Sequence, residues 1–114
     1  MSLYSLCQQI ISTYRKHGWA LRRVLLRQQT RAELSPQLKT LFNDVTIKDA
    51  EVDAFWFARN SHEKREAWEL RLISETQYAL FETFEIDEPE EDREDLRLEM
   101  EARLRDYATA RLRD

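Results

Sequence analysis

Three runs of alternating or near-continuous apolar character, DAFWFAR, EAWELRLI and YALFETFEI, lie between Val52 and Ile86. They predict a meander of three antiparallel strands, because side chains of a strand alternate between faces with period two. In the middle run Trp68, Leu70 and Leu72 share one side while Glu69 and Arg71 share the other, which reads as one buried and one wetter face. In the last run Tyr78, Leu80, Phe84 and Ile86 share a side with Glu82, opposite Ala79, Phe81, Thr83 and Glu85. The first run is different. Ala54, Trp56 and Ala58 oppose Phe55 and Phe57, so both of its faces carry large aromatics and both need covering. NSHEKR reads as a polar hairpin tip and Ser74 to Gln77 as a tight turn.

The flanks read as helices. Leu3, Leu6, Cys7, Ile10, Ile11 and Tyr14 recur at i, i+3, i+4 and i+7, with Ser2 as N-cap and Gly18 as the left-handed residue after the C-terminus. WALRRVLLR follows, with an arginine on each face of a strand and no cleaner grouping on a helix. The glycine stop and the β-branched and aromatic ends favour a strand. Gln28 to Leu34 is polar and irregular or weakly helical. Ser35-Pro36 predicts a short helix through Phe42, with Ser35 as N-cap. Val45 to Ile47 reads as briefly extended, and Lys48 to Glu51 as a turn or a single helical turn. Asp87-Glu88-Pro89 opens a long last helix with acidic residues at its start and arginines at its end, among them Arg113, as the helix dipole favours. Its apolar stripe is Leu96, Met100, Leu104, Tyr107 and Leu112, beginning only after Asp95, so its acidic start is expected in solvent or against a partner.

The fold class expected is α+β: a mainly antiparallel sheet of about four strands flanked by an N-terminal and a long C-terminal helix, in the order α-β-short α-β-β-β-α, as one domain over residues 1–114. The order of elements resembles that of small acidic secretion chaperones, which are dimeric helix-and-sheet domains, in arrangement alone.

Composition narrows the chemistry more than it suggests any. One cysteine excludes an internal disulfide, no apolar run approaches the ~20 residues of a membrane span, and the N-terminus has no signal-peptide pattern, so a cytoplasmic location is expected. His17, His62 and Cys7 lack any zinc spacing, and Glu88 to Asp95 lacks the alternating calcium-loop pattern. With one glycine in the chain no phosphate-cradling loop can be built. Ser61-His62-Glu63 are neighbours on a hairpin tip, and triads are assembled in space. Cys7 reads as a buried small hydrophobe. The reading therefore leans away from an enzyme and carries no catalytic, cofactor or metal residue.

Charge is the informative part. The net charge is −4, but residues 1–48 carry +6 and residues 49–114 carry −10. Arg22, Arg23 and Arg27, with Tyr14 and Trp19 nearby, form the type of basic and aromatic patch that binds phosphates and stacks bases. The acidic second half can pair with the same arginines within the chain or between subunits. The expected function is a non-enzymatic protein-interaction module acting as a homodimer, motivated by the long last helix, the surplus aromatics and the opposed charges. Its candidate surface is Arg22, Arg23, Arg27, Phe55, Trp56, Phe57 and Arg71. The alternatives are a nucleic-acid-binding module that uses the basic half, and a small ligand-binding protein or enzyme. The last requires a deep cavity lined by Glu69, Arg71 or Trp56.

Overall fold

The computed structural model describes residues 1–112 and shows an α+β domain; Arg113 and the side chain of Leu112 lie outside the described residues. Helix α1 (Leu3–Lys16) begins at Ser2, whose hydroxyl accepts the Ser5 amide at 3.1 Å. It ends before Gly18 at φ +85°, the left-handed conformation that glycine adopts without a Cβ penalty. Strand β1 (Ala20–Leu26) follows, then α2 (Gln28–Glu33), a 3₁₀ turn (Ser35–Gln37) and α3 (Leu38–Leu41). Ser35 lies inside that turn rather than capping it, since the N-cap position is Leu34 and no side chain caps it. Strands β2 (Thr46–Asp49), β3 (Ala54–Asn60), β4 (Arg65–Leu72) and β5 (Ala79–Glu85) precede α4 (Glu90–Leu112).

The sheet has five strands in the order β2-β1-β3-β4-β5, one more than expected. The extra strand is β2, which runs parallel to β1 with Val24 opposite Ile47 and takes in Lys48 and Asp49, not a turn. The α2–α3 segment supplies the crossover that a parallel pair requires. The remaining pairs are antiparallel. Residues 73–78 form a wider loop than the tight turn expected between β4 and β5, closed by the Leu72 amide on the Tyr78 carbonyl at 3.0 Å. At the β3–β4 tip, Glu63 and Lys64 both adopt positive φ, 58° and 62°.

Both faces of the sheet are covered, which explains the aromatics on both sides of β3. Trp56 lies beneath α4 with Trp68, Leu70, Phe84, Met100 and Leu104. Phe55 and Phe57 lie beneath α1 and the α2–α3 segment, with Cys7, Ile10, Ile11, Leu34 and Phe42. β3 is thus the central strand of three layers, the position where a strand reads as near-continuously apolar. Cys7 is sealed in this layer, and burial raises its thiol pKa to about 12, so it is an inert packing residue.

β1 carries arginines on no clean face because it is bulged. The register shifts between Leu21 and Arg23, so one extra residue opposes β3 and the alternation changes phase. Leu21, Val24 and Leu26 join the α1 side, whereas Arg22 and Arg23 both reach the Trp68 ring on the α4 side, 5.5 and 5.9 Å from its centroid.

The acidic residues at the start of α4, Glu90, Glu91, Asp92 and Asp95, are exposed as expected, but the turns that carry them are docked on the sheet through arginines. Arg93 and Arg97 extend its inward stripe by two turns ahead of Met100 and Leu104. Arg97, 1% exposed, lies 4.0 Å over Trp68 and donates to Glu90 and Glu94 at 2.5 and 3.0 Å. Arg93 donates to the Glu85 and Ile86 carbonyls at 2.6 and 2.9 Å. Arg23 closes the cluster on Glu94 at 2.9 Å.

This network gives α4 docking a small acid sensitivity, kept small because the Glu90 and Glu94 side chains are 68% and 37% exposed. The hydrogen bond from Arg97 holds the Glu90 carboxyl below its ordinary value of 4.5. For Glu94, burial alone would raise it, but hydrogen bonds from Arg97 and Arg23 outweigh that and hold it low as well. A carboxyl depressed in the folded state contributes stability that is complete above its unfolded pKa and is lost as pH falls through the folded one. Urea midpoints should therefore be flat from pH 7 to about 5 and fall below about pH 4.5. In Glu94→Gln that fall should be shallower, and an equally steep acid limb would place the sensitivity elsewhere.

Candidate functional site

On the α1 side the layer does not reach the far edge of the sheet. Helix α1 packs over β1 and β3, and the outer strands β4 and β5 extend past it. Between the helix and that uncovered floor lies a cleft of about 670 Å³. Ile10, Tyr14 and Trp19 form its wall, Glu69, Arg71 and Ala79 line its floor, and Ser74, Glu75, Gln77 and Tyr78 bound its end. Its volume falls within the ~300–1,000 Å³ typical of ligand sites.

Three polar side chains converge there. Tyr14 arrives from the last turn of α1 and stacks on Phe57, centroids 4.0 Å apart and planes at 6°. Its hydroxyl donates to Oε2 of Glu69 in a short hydrogen bond. Burial, then this hydrogen bond, push the Tyr14 phenol well above its ordinary value, so it stays protonated and acts as a fixed donor. Glu69 and Arg71 occupy alternate positions of β4, opposite Phe57 and Phe55 of β3, and so project to the same face.

Arg71 is the exceptional residue. It is 8% exposed, yet among the described residues it forms no ion pair. Only its Nη1 is hydrogen-bonded, to the carbonyl oxygens of Leu72 and Ser74. Among the described residues Nε and Nη2 have no partner, and neither is a fully sealed unpartnered atom, so both keep an opening at the cleft floor. Burial lowers the Arg71 pKa, an effect that Tyr14 and Glu69 partly offset. A charge taken from water without an ionic partner is costly, and such residues concentrate where a ligand supplies the missing charge.

The other surface candidates go elsewhere. Phe55, Trp56 and Phe57 are interior, as β3 is the central strand, and so they present no surface. Trp56 faces α4, away from the cleft, and donates its indole N–H to Glu101 at 2.8 Å. Arg22 and Arg23 sit over Trp68 on the α4 side. Arg27 pairs with Asp53 at 2.9 Å at the end of β1, where Asp53 also accepts from the Thr30 hydroxyl at 2.7 Å. Only Arg71 of the seven lines the cleft. Among the described residues no three His, Cys, Asp or Glu side chains gather as metal ligands, and no helix is long and apolar enough to cross a membrane.

Tyr14 and Trp19 are cleft residues that the sequence assigned to other roles, a helix stripe and a strand end, and as the aromatics of a basic patch with Arg22, Arg23 and Arg27. The available signal was Glu69 and Arg71 on the face that Phe55 and Phe57 share, a polar pair beside aromatics that had to be covered.

No protein-family model, no curated protein and no solved structure matches this chain.

Proposed function

We propose that this protein is a small-ligand-binding module and that the cleft between α1 and the β4–β5 floor is its site. The observation that carries this reading is Arg71, a buried guanidinium with open donors and no ionic partner at the base of a preformed concavity. The site favours binding over catalysis. Tyr14 is held protonated and hydrogen-bonded to Glu69, so it is a fixed donor that positions a ligand. The test is an amide-detected NMR screen of a diverse fragment collection. Shifts that converge on Tyr14, Glu69 and residues 74–78 are expected, and a screen whose hits all map elsewhere would contradict the reading.

The features that suggested a homodimer find partners within one chain: the aromatics of β3 are internal, and Arg23–Glu94, Arg31–Asp49 and Lys48–Glu101 join the basic half to the acidic half. One observation still favours a protein-interaction module as a second reading. β5 is an edge strand, and Phe81 and Ile86, on it and just after it, are 57% and 61% exposed. Light scattering tests the dimer form of it. A mass near twice 13.8 kDa that returns to the monomer value in Phe81→Glu would support it, and a monomer at high concentration would count against it.

A further inference from the structure

The cleft has two opposite charges on one strand face that do not pair with each other among the described residues, and that arrangement restricts what fits. Glu69 and Arg71 are two residues apart on one strand face, so their Cα atoms are about 6.5–7 Å apart along the strand. Oε2 of Glu69 is occupied by the Tyr14 hydroxyl, and among the described residues its Oε1 has no partner. Arg71 offers Nε and Nη2, the edge of the guanidinium that grips a carboxylate with two parallel hydrogen bonds. An acceptor anion is therefore wanted beside Arg71 and a donor beside Glu69. A bare carboxylate would meet Glu69 as a like charge, and a phosphate would bring a larger one beside Glu69 and Glu75, with Arg71 as the buried cation. A carboxylate whose neighbouring carbon bears a hydroxyl or ammonium answers both groups, the ammonium by opposing the Glu69 charge and the hydroxyl by donating a hydrogen bond to it, each at about 2.9 Å. Ile10, Tyr14 and Trp19, interleaved with Thr13 and His17, then offer a largely aromatic wall with a polar margin to the rest of the molecule.

We propose that the cleft binds a small α-hydroxy or α-amino carboxylic acid with an apolar side chain, its carboxylate on Arg71 and its α-substituent on Glu69. The proposal rests on the reading of the cleft as a ligand site and adds the head group. Both faces of the head group are then satisfied by groups that otherwise lack partners, which is how a site comes to reject analogues missing one of them.

The test uses four probes that share a phenyl body, followed by amide NMR shifts of the full chain: L-phenylalanine, L-3-phenyllactate, 3-phenylpropionate and 2-phenylethylamine. The first two should bind with Kd on the order of 1 mM, a reasonable value for a dozen heavy atoms. 3-Phenylpropionate should be roughly 3- to 10-fold weaker, and 2-phenylethylamine should not bind measurably, as it leaves Arg71 unanswered. Arg71→Met should weaken the first two by about 10- to 100-fold, the range of a charge-assisted pair. Arg71→Lys, which keeps the charge and loses the fork, should fall between, and serves if the methionine variant does not fold. Glu69→Gln should narrow the gap between L-phenylalanine and 3-phenylpropionate. Binding of the amine as tight as that of the acids, or of none of the four, overturns the proposal. If uncharged fragments nonetheless shift the cleft residues, only the head-group assignment falls. If no compound of any kind reaches the cleft, the broader reading falls with it.

Discussion

Trp56→Ala is expected to lower the unfolding free energy by about 3–5 kcal/mol, the range for truncating a buried aromatic where the surroundings cannot close the cavity. Trp56 is 0% exposed, at the centre of the layer between sheet and α4, with Trp68 edge-on at 5.8 Å. Its neighbours on β1 and β4, Arg23 and Leu70, are held in register by ladders on both sides, so the sheet has little freedom to collapse inward. The truncation also removes the indole donor to Glu101, whose remaining polar contact is Lys48 at 3.7 Å. Against the 5–15 kcal/mol typical of a domain, a loss of this size leaves a marginal or unfolded protein. Urea unfolding measures it as a fall in midpoint at unchanged slope. A loss under about 1 kcal/mol would show that the α4 layer does not pack as described.

The second large effect concerns Arg97, where charge and packing can be separated. Arg97→Ala is expected to cost about 2–3 kcal/mol. Most of this comes from the stem and from the guanidinium plane over Trp68 and Phe84, at 4.0 and 5.4 Å. A desolvated cation on an aromatic face contributes up to ~2 kcal/mol. The ion pairs add little, because Glu90 and Glu94 are substantially exposed and return to water when released. Arg97→Met retains much of the stem and should cost only about 1 kcal/mol. Equal losses in the two variants would mean that the guanidinium, through its ring stacking and ion pairs, and not the stem, holds the start of α4 on the sheet. The lack of a hydrogen bond at the Nε atoms of Arg93 and Arg97 fits side chains that lie against rings and are fixed by their outer nitrogens.

The strands of the meander were legible because alternation in EAWELRLI and aromatic density in DAFWFAR are direct consequences of the faces they bury. The doubly aromatic β3 even announced that both faces would be covered, though not that both covers belong to the same chain. Helix α1 was legible from its stripe, its serine cap and its terminal glycine. Three features were not. The bulge in β1 places consecutive arginines on one face, and an alternation rule has no provision for an extra residue. Arg93 and Arg97 occupy the inward stripe of α4, and a pattern that counts charge as polar ends the stripe at Leu96. β2 is four residues long with one apolar side chain facing inward, and its strand identity comes from pairing with β1, not from its own pattern. The cleft was invisible for a related reason: Tyr14 and Glu69 are 55 residues apart, and their meeting depends on where α1 stops along the sheet. Glu69 and Arg71 were legible as a polar pair on one face, but whether that face was wet, covered or a cleft floor was set by the length of the opposing helix layer.

The central claim is that Arg71 is kept for a ligand and not for the fold, and the stability of Arg71→Met tests it most directly. An uncompensated buried cation replaced by an apolar side chain of similar reach should leave stability within about 1 kcal/mol of the parent or raise it, since residues placed for binding are commonly retained at a cost to the fold. The urea midpoint of Arg71→Met, measured beside the parent at neutral pH, should therefore be equal or higher. A fall corresponding to about 2 kcal/mol or more would show that the hydrogen bonds of Arg71 to the Leu72 and Ser74 carbonyls are its purpose, and would contradict the account.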